Sequence, residues 1–140
     1  PPWPQGEGPS DSWEGLSSGC LLRNFRTANA HGRIDLPLSA DYDERPRQKV
    51  DFQQGKAAHT EYKVVSENSD GTADLLLYPL TGRTHQLRVH CAHPDGLNCP
   101  IVGDPLYGQP AERLYLHAET LQFVHPHTHE RVKISAKAPF

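Results

Sequence analysis

The chain has 140 residues, with 14 Lys+Arg against 17 Asp+Glu for a formal charge of −3, nine His, and 36% hydrophobic residues. That is one domain at most, able to bury a core but with little stability in reserve. Collagen-like and wholly disordered classes are excluded, no run approaches the roughly 18 apolar residues of a membrane span, and the mild acidity argues against indiscriminate nucleic-acid binding while leaving room for a local basic site.

The N-terminus, Pro-Pro-Trp-Pro-Gln-Gly, lacks the basic and apolar regions of a signal peptide. Cys20, Cys91 and Cys99 are odd in number and irregular in spacing, which argues against a disulfide framework and for a reducing compartment. A soluble, cytoplasmic protein is the expectation. Met is absent even at position 1, so the chain reads as a processed product or a fragment.

Residues 1–29 open with a stretch dense in Pro, Gly and Ser in which Trp3, Trp13 and Leu16 are the bulky apolar groups. Such a stretch buries too little to offset its ordering entropy, so it reads as a linker or peripheral arm ahead of a domain at 30–140. Gly32–Leu38 is a short extended segment and Asp41–Pro46 a charged loop. Lys49–Gln53 and Thr60–Val65 alternate apolar and polar residues, the pattern of half-buried strands. Asn68-Ser-Asp-Gly71 signals a turn between the second of these and Ala73–Tyr78, which makes a hairpin. A short helix is predicted at 84–92, opened by Thr81 or Thr84 as caps and closed by Pro94 and Gly96. A strand at Pro100–Val102, a turn at 103–108, an apolar run at Leu114–Ala118, and strands Leu121–Val124 and Arg131–Ile134 follow, the last two joined by His125–Glu130. The sum is an α+β domain: a mainly antiparallel, mixed sheet with few short helices.

Chemistry concentrates in Gly82-Arg-Thr-His-Gln-Leu-Arg-Val-His90. On a helix Arg88 lies one turn beyond Thr84 and His85, while Leu87 and Cys91 point together to the core. A guanidinium fixed this way suits bidentate pairing with a carboxylate or phosphate. The plainer reading, a solvated polar face, is what composition alone favours.

From Gly32 to Phe140 the chain resembles the RluA-type pseudouridine synthases. The stretches that carry the resemblance come in order: Gly32–Leu38, Arg45–Val50, Gly55–Val65 with its Gly-Lys and Thr-x-Tyr elements, Gly82–His90, Pro100–Asp104 with Tyr107-Gly108, Leu116-His-Ala118, His125-Pro126 and Lys137-Ala-Pro139. The resemblance implies part of the pseudouridine synthase fold and an RNA isomerase that converts uridine to pseudouridine in ribosomal or transfer RNA, without metal or organic cofactor. It implies that Arg88 is the cationic partner of the catalytic aspartate, and that Arg83, His85 and Gln86 lie near the RNA. An ionised carboxylate buried beside a base needs such a partner.

The family's aspartate stands in a His-Arg-Leu-Asp…Thr-Ser-Gly motif. Gly32-Arg-Ile-Asp35 imitates it, but Leu-Pro-Leu follows and the position matches a later segment, so Asp35 reads as structural. The Lys-x-Tyr motif is likewise absent from residues 1–31. The chain therefore reads as the C-terminal part of a catalytic domain, lacking the nucleophile and inactive alone. The alternative is a non-catalytic RNA-binding module. Three further constellations are set aside: His117-Ala-Glu119 lacks the Pro-Cys-x-x-Cys of a zinc deaminase, His125-Pro-His-Thr-His129 reads as a hairpin loop rather than a metal site, and the cysteines read as buried small hydrophobes.

Overall fold

The computed structural model describes residues 15–25 and 29–140. In chain order the elements are β1 (Gly15–Arg23), β2 (His31–Asp35), β3 (Leu38–Ala40), β4 (Gln48–Val50), β5 (His59–Glu67), β6 (Thr72–Pro79), α1 (Gln86–Ala92), β7 (Leu116–Val124) and β8 (Arg131–Ser135). Six strands form one sheet in the order β2-β5-β6-β1-β7-β8, and β3 and β4 form a separate hairpin. All of these strand pairs are antiparallel. The expected α+β class is what the chain adopts.

The composition of residues 1–29 suggests an arm, and for 15–23 that expectation is corrected. β1 lies inside the sheet, bonded to β6 on one side and β7 on the other. Cys20 and Leu22 are almost wholly buried, and Ser17 and Ser18 are buried with them. Pairing along both edges satisfies the backbone groups whatever the side chains are, so the sheet tolerates small polar residues that are poor strand formers by themselves. Trp3 and Trp13 lie outside the described residues.

The core sits on one face of this sheet. Cys20 and Leu22 of β1 lie opposite Leu75 and Ala73 of β6, and with Leu77 they pack against Cys91 of α1 and Cys99 and Ile101 from the loop beyond it. Tyr62 and Val64 of β5 and Leu87 of α1 extend this layer, so Leu87 and Cys91 do face the core together. Each fully buried leucine contributes roughly 1.5–3 kcal/mol. A second, smaller cluster of Leu38, Ala58 and Val89, with Val50 and Tyr107 against it, fastens the β3–β4 hairpin onto α1. The helix thus has the sheet on one side and the hairpin on the other.

Two local expectations hold and one is corrected. The 68–71 turn joins β5 to β6, the 125–130 loop joins β7 to β8, and Pro100–Val102 contributes a single bridge, Ile101 to Leu22, instead of a strand. The 125–130 loop is closed by backbone bonds from His125 N–H to the Glu130 carbonyl and from His129 N–H to the His125 carbonyl, while the His125 side chain accepts the His127 and Thr128 N–H groups at Nδ1. The three cysteines are free and buried. No helix among the described residues is long and apolar enough to cross a membrane.

Candidate active site

The segment entering α1 is shaped by Gln86. Its Nε2 donates to the His59 carbonyl (2.9 Å) and to Thr60 Oγ1 (3.0 Å), while its Oε1 accepts the Thr81 hydroxyl (2.7 Å) and the Arg83 N–H (3.0 Å). One buried amide therefore ties the 81–83 turn to the end of β5. The helix starts two residues later than expected, because Thr81 spends its hydroxyl on Gln86 and its oxygen on the His59 N–H. His85 takes the cap position instead, in the left-handed region at φ 55° and without a side-chain cap bond. Gln86 is 4% exposed, so its side chain acts on the turn that carries Arg83 and His85. It is a bracket that shapes the turn.

Arg88, in the first turn of the helix, forms a two-point ion pair. Its Nε donates to Asp104 Oδ2 at 3.0 Å and its Nη2 to Oδ1 at 2.6 Å. Asp104 has no solvent exposure, whereas the Arg88 side chain keeps 16%. The Asp104 carboxylate also accepts the N–H groups of Leu106 (3.0 Å) and Tyr107 (3.2 Å). Burial pushes this carboxyl up, but Arg88 and the two backbone donors outweigh it and hold it below the usual carboxylate range. Gly103, next to Asp104, has φ 82° and lies directly against the Arg113 backbone, so that a Cβ there would collide with the Arg113 carbonyl.

Tyr107 completes the constellation. Its ring lies under two guanidinium groups, with Arg88 Cζ at 5.3 Å and Arg47 Cζ at 5.0 Å from the centroid. Its hydroxyl accepts the Gln48 N–H from β4 and bonds His85 Nδ1, each at 2.8 Å. Burial, with Arg88 nearby, pushes the His85 pKa down, so this imidazole is neutral near pH 7. Sequence reading singled out Arg88 and His85 but gave no role to Asp104 or Tyr107. Their spacing from the helix carries no periodic signal, because the contacts are tertiary.

This arrangement produces a guanidinium with one edge committed and one edge available. Nε and Nη2 are held by Asp104, and among the described residues Nη1 has no bonded partner. A cation locked this way is suited to receive a second carboxylate or a phosphate. Asp104 itself cannot serve as a nucleophile, since it is shut off from solvent and both its oxygens accept bonds. Asp35 is elsewhere in the network: at the end of β2 it pairs with Arg33 Nε at 2.8 Å and with His59, not with Arg88. Arg83 is exposed, its Nε donating to the Ala57 carbonyl at 2.9 Å, and His85 is half-buried against Tyr107. Among the described residues no group of three or more His, Cys, Asp or Glu is placed to hold a metal ion.

Comparison with known proteins identifies the family. Residues 20–93, more than half of the chain, match the family described as RNA pseudouridylate synthase. The chain is 47% identical over 116 residues to the dual-specificity RNA pseudouridine synthase RluA of Escherichia coli K12, the match covering 79% of this chain and 52% of that protein. The chain thus spans about half the length of the curated relatives it matches. Among solved structures, human RNA pseudouridylate synthase domain containing 1 superposes with a TM-score of 0.72 at 30% identity, covering 90% of this chain and 55% of that one. The fold is shared as well with human RNA pseudouridylate synthase domain containing 4, at a TM-score of 0.67, 23% identity, and coverage of 89% and 58%. These matches place the chain in the RNA pseudouridylate synthase family.

Proposed function

We propose that this chain supplies the Arg88 portion of a site that converts uridine to pseudouridine in ribosomal or transfer RNA, in the cytoplasm. The observation that carries this reading is the guanidinium of Arg88, aligned by Asp104 and Tyr107 with its Nη1 edge open. In the reaction the bond between N1 and the ribose carbon breaks, the base turns, and carbon 5 bonds to the ribose in its place. The proton on carbon 5 leaves and N1 gains one. The nucleophilic carboxylate that starts this sequence needs a fixed cation to stay ionised away from bulk water, and Arg88 is that cation. Asp104 is the one carboxylate among the described residues within ion-pair distance of Arg88, and its role is to hold the arginine. The nucleophile in this reading is supplied from outside the described residues, and the chain alone is inactive.

The test is a chimaera in which this chain replaces the matching half of the E. coli relative, assayed by tritium release from RNA labelled at carbon 5 of uridine. Release by the chimaera, silence from the chain alone, and a loss of a hundredfold or more on Arg88→Lys are the expected results. A folded chimaera that releases no tritium refutes the reading. Release by the 140-residue chain alone refutes its inactivity and makes Asp35→Asn the next measurement.

A further inference from the structure

The helix that carries Arg88 is anchored on the side turned away from Asp104. Gln86 and His90 stand four residues apart on α1 and lie one above the other, while Arg88, two residues from each, points roughly 200° around the axis from Gln86. Gln86 reaches the His59 carbonyl and Thr60 Oγ1. His90 reaches Thr60 Oγ1 at 2.8 Å and the Leu36 carbonyl at 2.9 Å. A carbonyl only accepts, so His90 Nε2 carries the proton, and the Thr60 hydroxyl donates to Nδ1 while accepting from Gln86. Both anchors of the helix therefore end on two neighbouring places: Leu36, just past β2, and residues 59–60 at the start of β5.

Those two places are tied together across the sheet by side chains. Thr60 faces α1, so His59 and Asp35, which stand directly opposite each other in the β2–β5 ladder, lie on the other face. His59 Nδ1 donates to Asp35 Oδ1 at 2.5 Å, and the same oxygen accepts Arg33 Nε at 2.8 Å. Arg33 in turn lies 3.6 Å from the buried Glu61 carboxylate. Burial pushes the Asp35 carboxyl up, but Arg33 and His59 outweigh it and hold it below the usual carboxylate range. The position of the pair matters as much as its chemistry. β2 is the outermost strand of the sheet, and its ladder with β5 ends at Asp35 and His59. Pairing resumes at the bridge between Leu38 and Lys56, so Leu36 lies in a gap between ladders with its carbonyl held by His90.

We propose that Asp35 and His59 are positioning residues for Arg88: their side-chain bond clasps the ends of β2 and β5 together and, through Gln86 and His90, sets the angle at which α1 presents the guanidinium. Opening the clasp lets Leu36 and residues 59–60 part. The helix, bonded to both, then turns about its axis, and the arginine on its opposite side moves relative to Asp104. The proposal rests on the catalytic reading above for the reaction that Arg88 serves.

The experiment is water exchange of the Arg88 Nε–H, which its bond to Asp104 slows, measured by NMR on the uniformly 15N-labelled full chain. The signal is identified by its loss in Arg88→Lys, and the backbone amides of the buried Leu22 and Leu75 report on the fold as a whole. His59→Asp sets two carboxylates opposite each other and speeds Arg88 exchange at least about tenfold, with the two core amides altered less than about threefold. His59→Asn keeps an N–H in the place of Nδ1 and stays within about twofold of the unaltered chain. His59→Ala deletes the bond without adding a charge; its increase reaches about fivefold at most, and it carries the test if His59→Asp does not fold. In the chimaera described above, His59→Asp lowers kcat at least about tenfold with KM unchanged, and His59→Asn restores it. Arg88 exchange that ignores the loss of the clasp, exchange that rises equally at Arg88 and the core amides, or a His59→Asn chain that behaves like His59→Asp overturns the proposal. So does an active chimaera whose kcat ignores His59→Asp. An inactive chimaera with the exchange effects intact refutes the catalytic reading alone.

Discussion

Replacing Arg88 removes a catalytic candidate and strands a buried charge at the same time, and the second effect has a size that the structure sets. In Arg88→Met the Asp104 carboxylate keeps two backbone N–H donors but loses both guanidinium bonds while remaining inaccessible to water. Breaking a buried pair from one side costs about 3–5 kcal/mol, a large share of the roughly 5–15 kcal/mol available to a domain. Asp104→Asn is milder, about 1–3 kcal/mol, because the amide oxygen can still accept from Leu106 and Tyr107 and the Arg88 side chain reaches solvent. The double variant Arg88→Met/Asp104→Asn strands no charge, so it is more stable than Arg88→Met alone. Urea unfolding followed by circular dichroism at pH 7 gives the cycle. The pH dependence adds a sign. Without Arg88 the Asp104 carboxyl titrates above its unfolded value, so the folded variant binds the extra proton and its deficit shrinks as pH falls from 7 towards 5. A cost below about 1 kcal/mol for Arg88→Met, or a double variant less stable than Arg88→Met, refutes the anchoring role of Asp104.

Two further outcomes follow from buried groups. His90 has no solvent exposure and bonds Thr60 Oγ1 at 2.8 Å and the Leu36 carbonyl at 2.9 Å; burial pushes its pKa down. A depressed histidine lets the unfolded chain take the proton first, so stability falls as pH drops below about 6.5, and His90→Phe lessens that fall while costing about 2–4 kcal/mol at pH 7 through the two unpaired partners, as urea titrations at pH 5 and pH 7 would show. Gly103→Ala meets both a left-handed φ and the Arg113 carbonyl at 1.7 Å; a loss of at least about 2 kcal/mol is expected, read as a lowered thermal midpoint.

The paired strands were legible wherever one face is buried and the other is not. β5 alternates, β6 is a short apolar run, and Asn68-Ser-Asp-Gly71 marks the turn between them, so their hairpin could be placed from local pattern alone. β1 was not legible, because Ser17, Ser18 and Gly19 are buried among apolar residues through pairing on both edges, and no local window reports what lies on either side of a strand. The site divides in the same way. Arg88 stands out within a dense polar motif, whereas Asp104 becomes its partner only when the Gly103 turn folds back onto α1. The bracing role of Gln86 is hidden for the same reason: its burial depends on β5, whose Thr60 lies 26 positions earlier.

The place of β1 also bears on how the molecule is made. Ser18 is registered against Leu77 on one side and Ala118 on the other, so one edge of this strand must wait for chain about 100 residues further on. At roughly 5–20 residues per second of synthesis, that edge stays open for about 5–20 s after the strand itself has been translated. During that interval β1, β5 and β6 can pair among themselves and leave a bare strand edge, the kind of surface that recruits other chains. Ribosome-bound intermediates of this protein are therefore the stage at which a chaperone has most to cover.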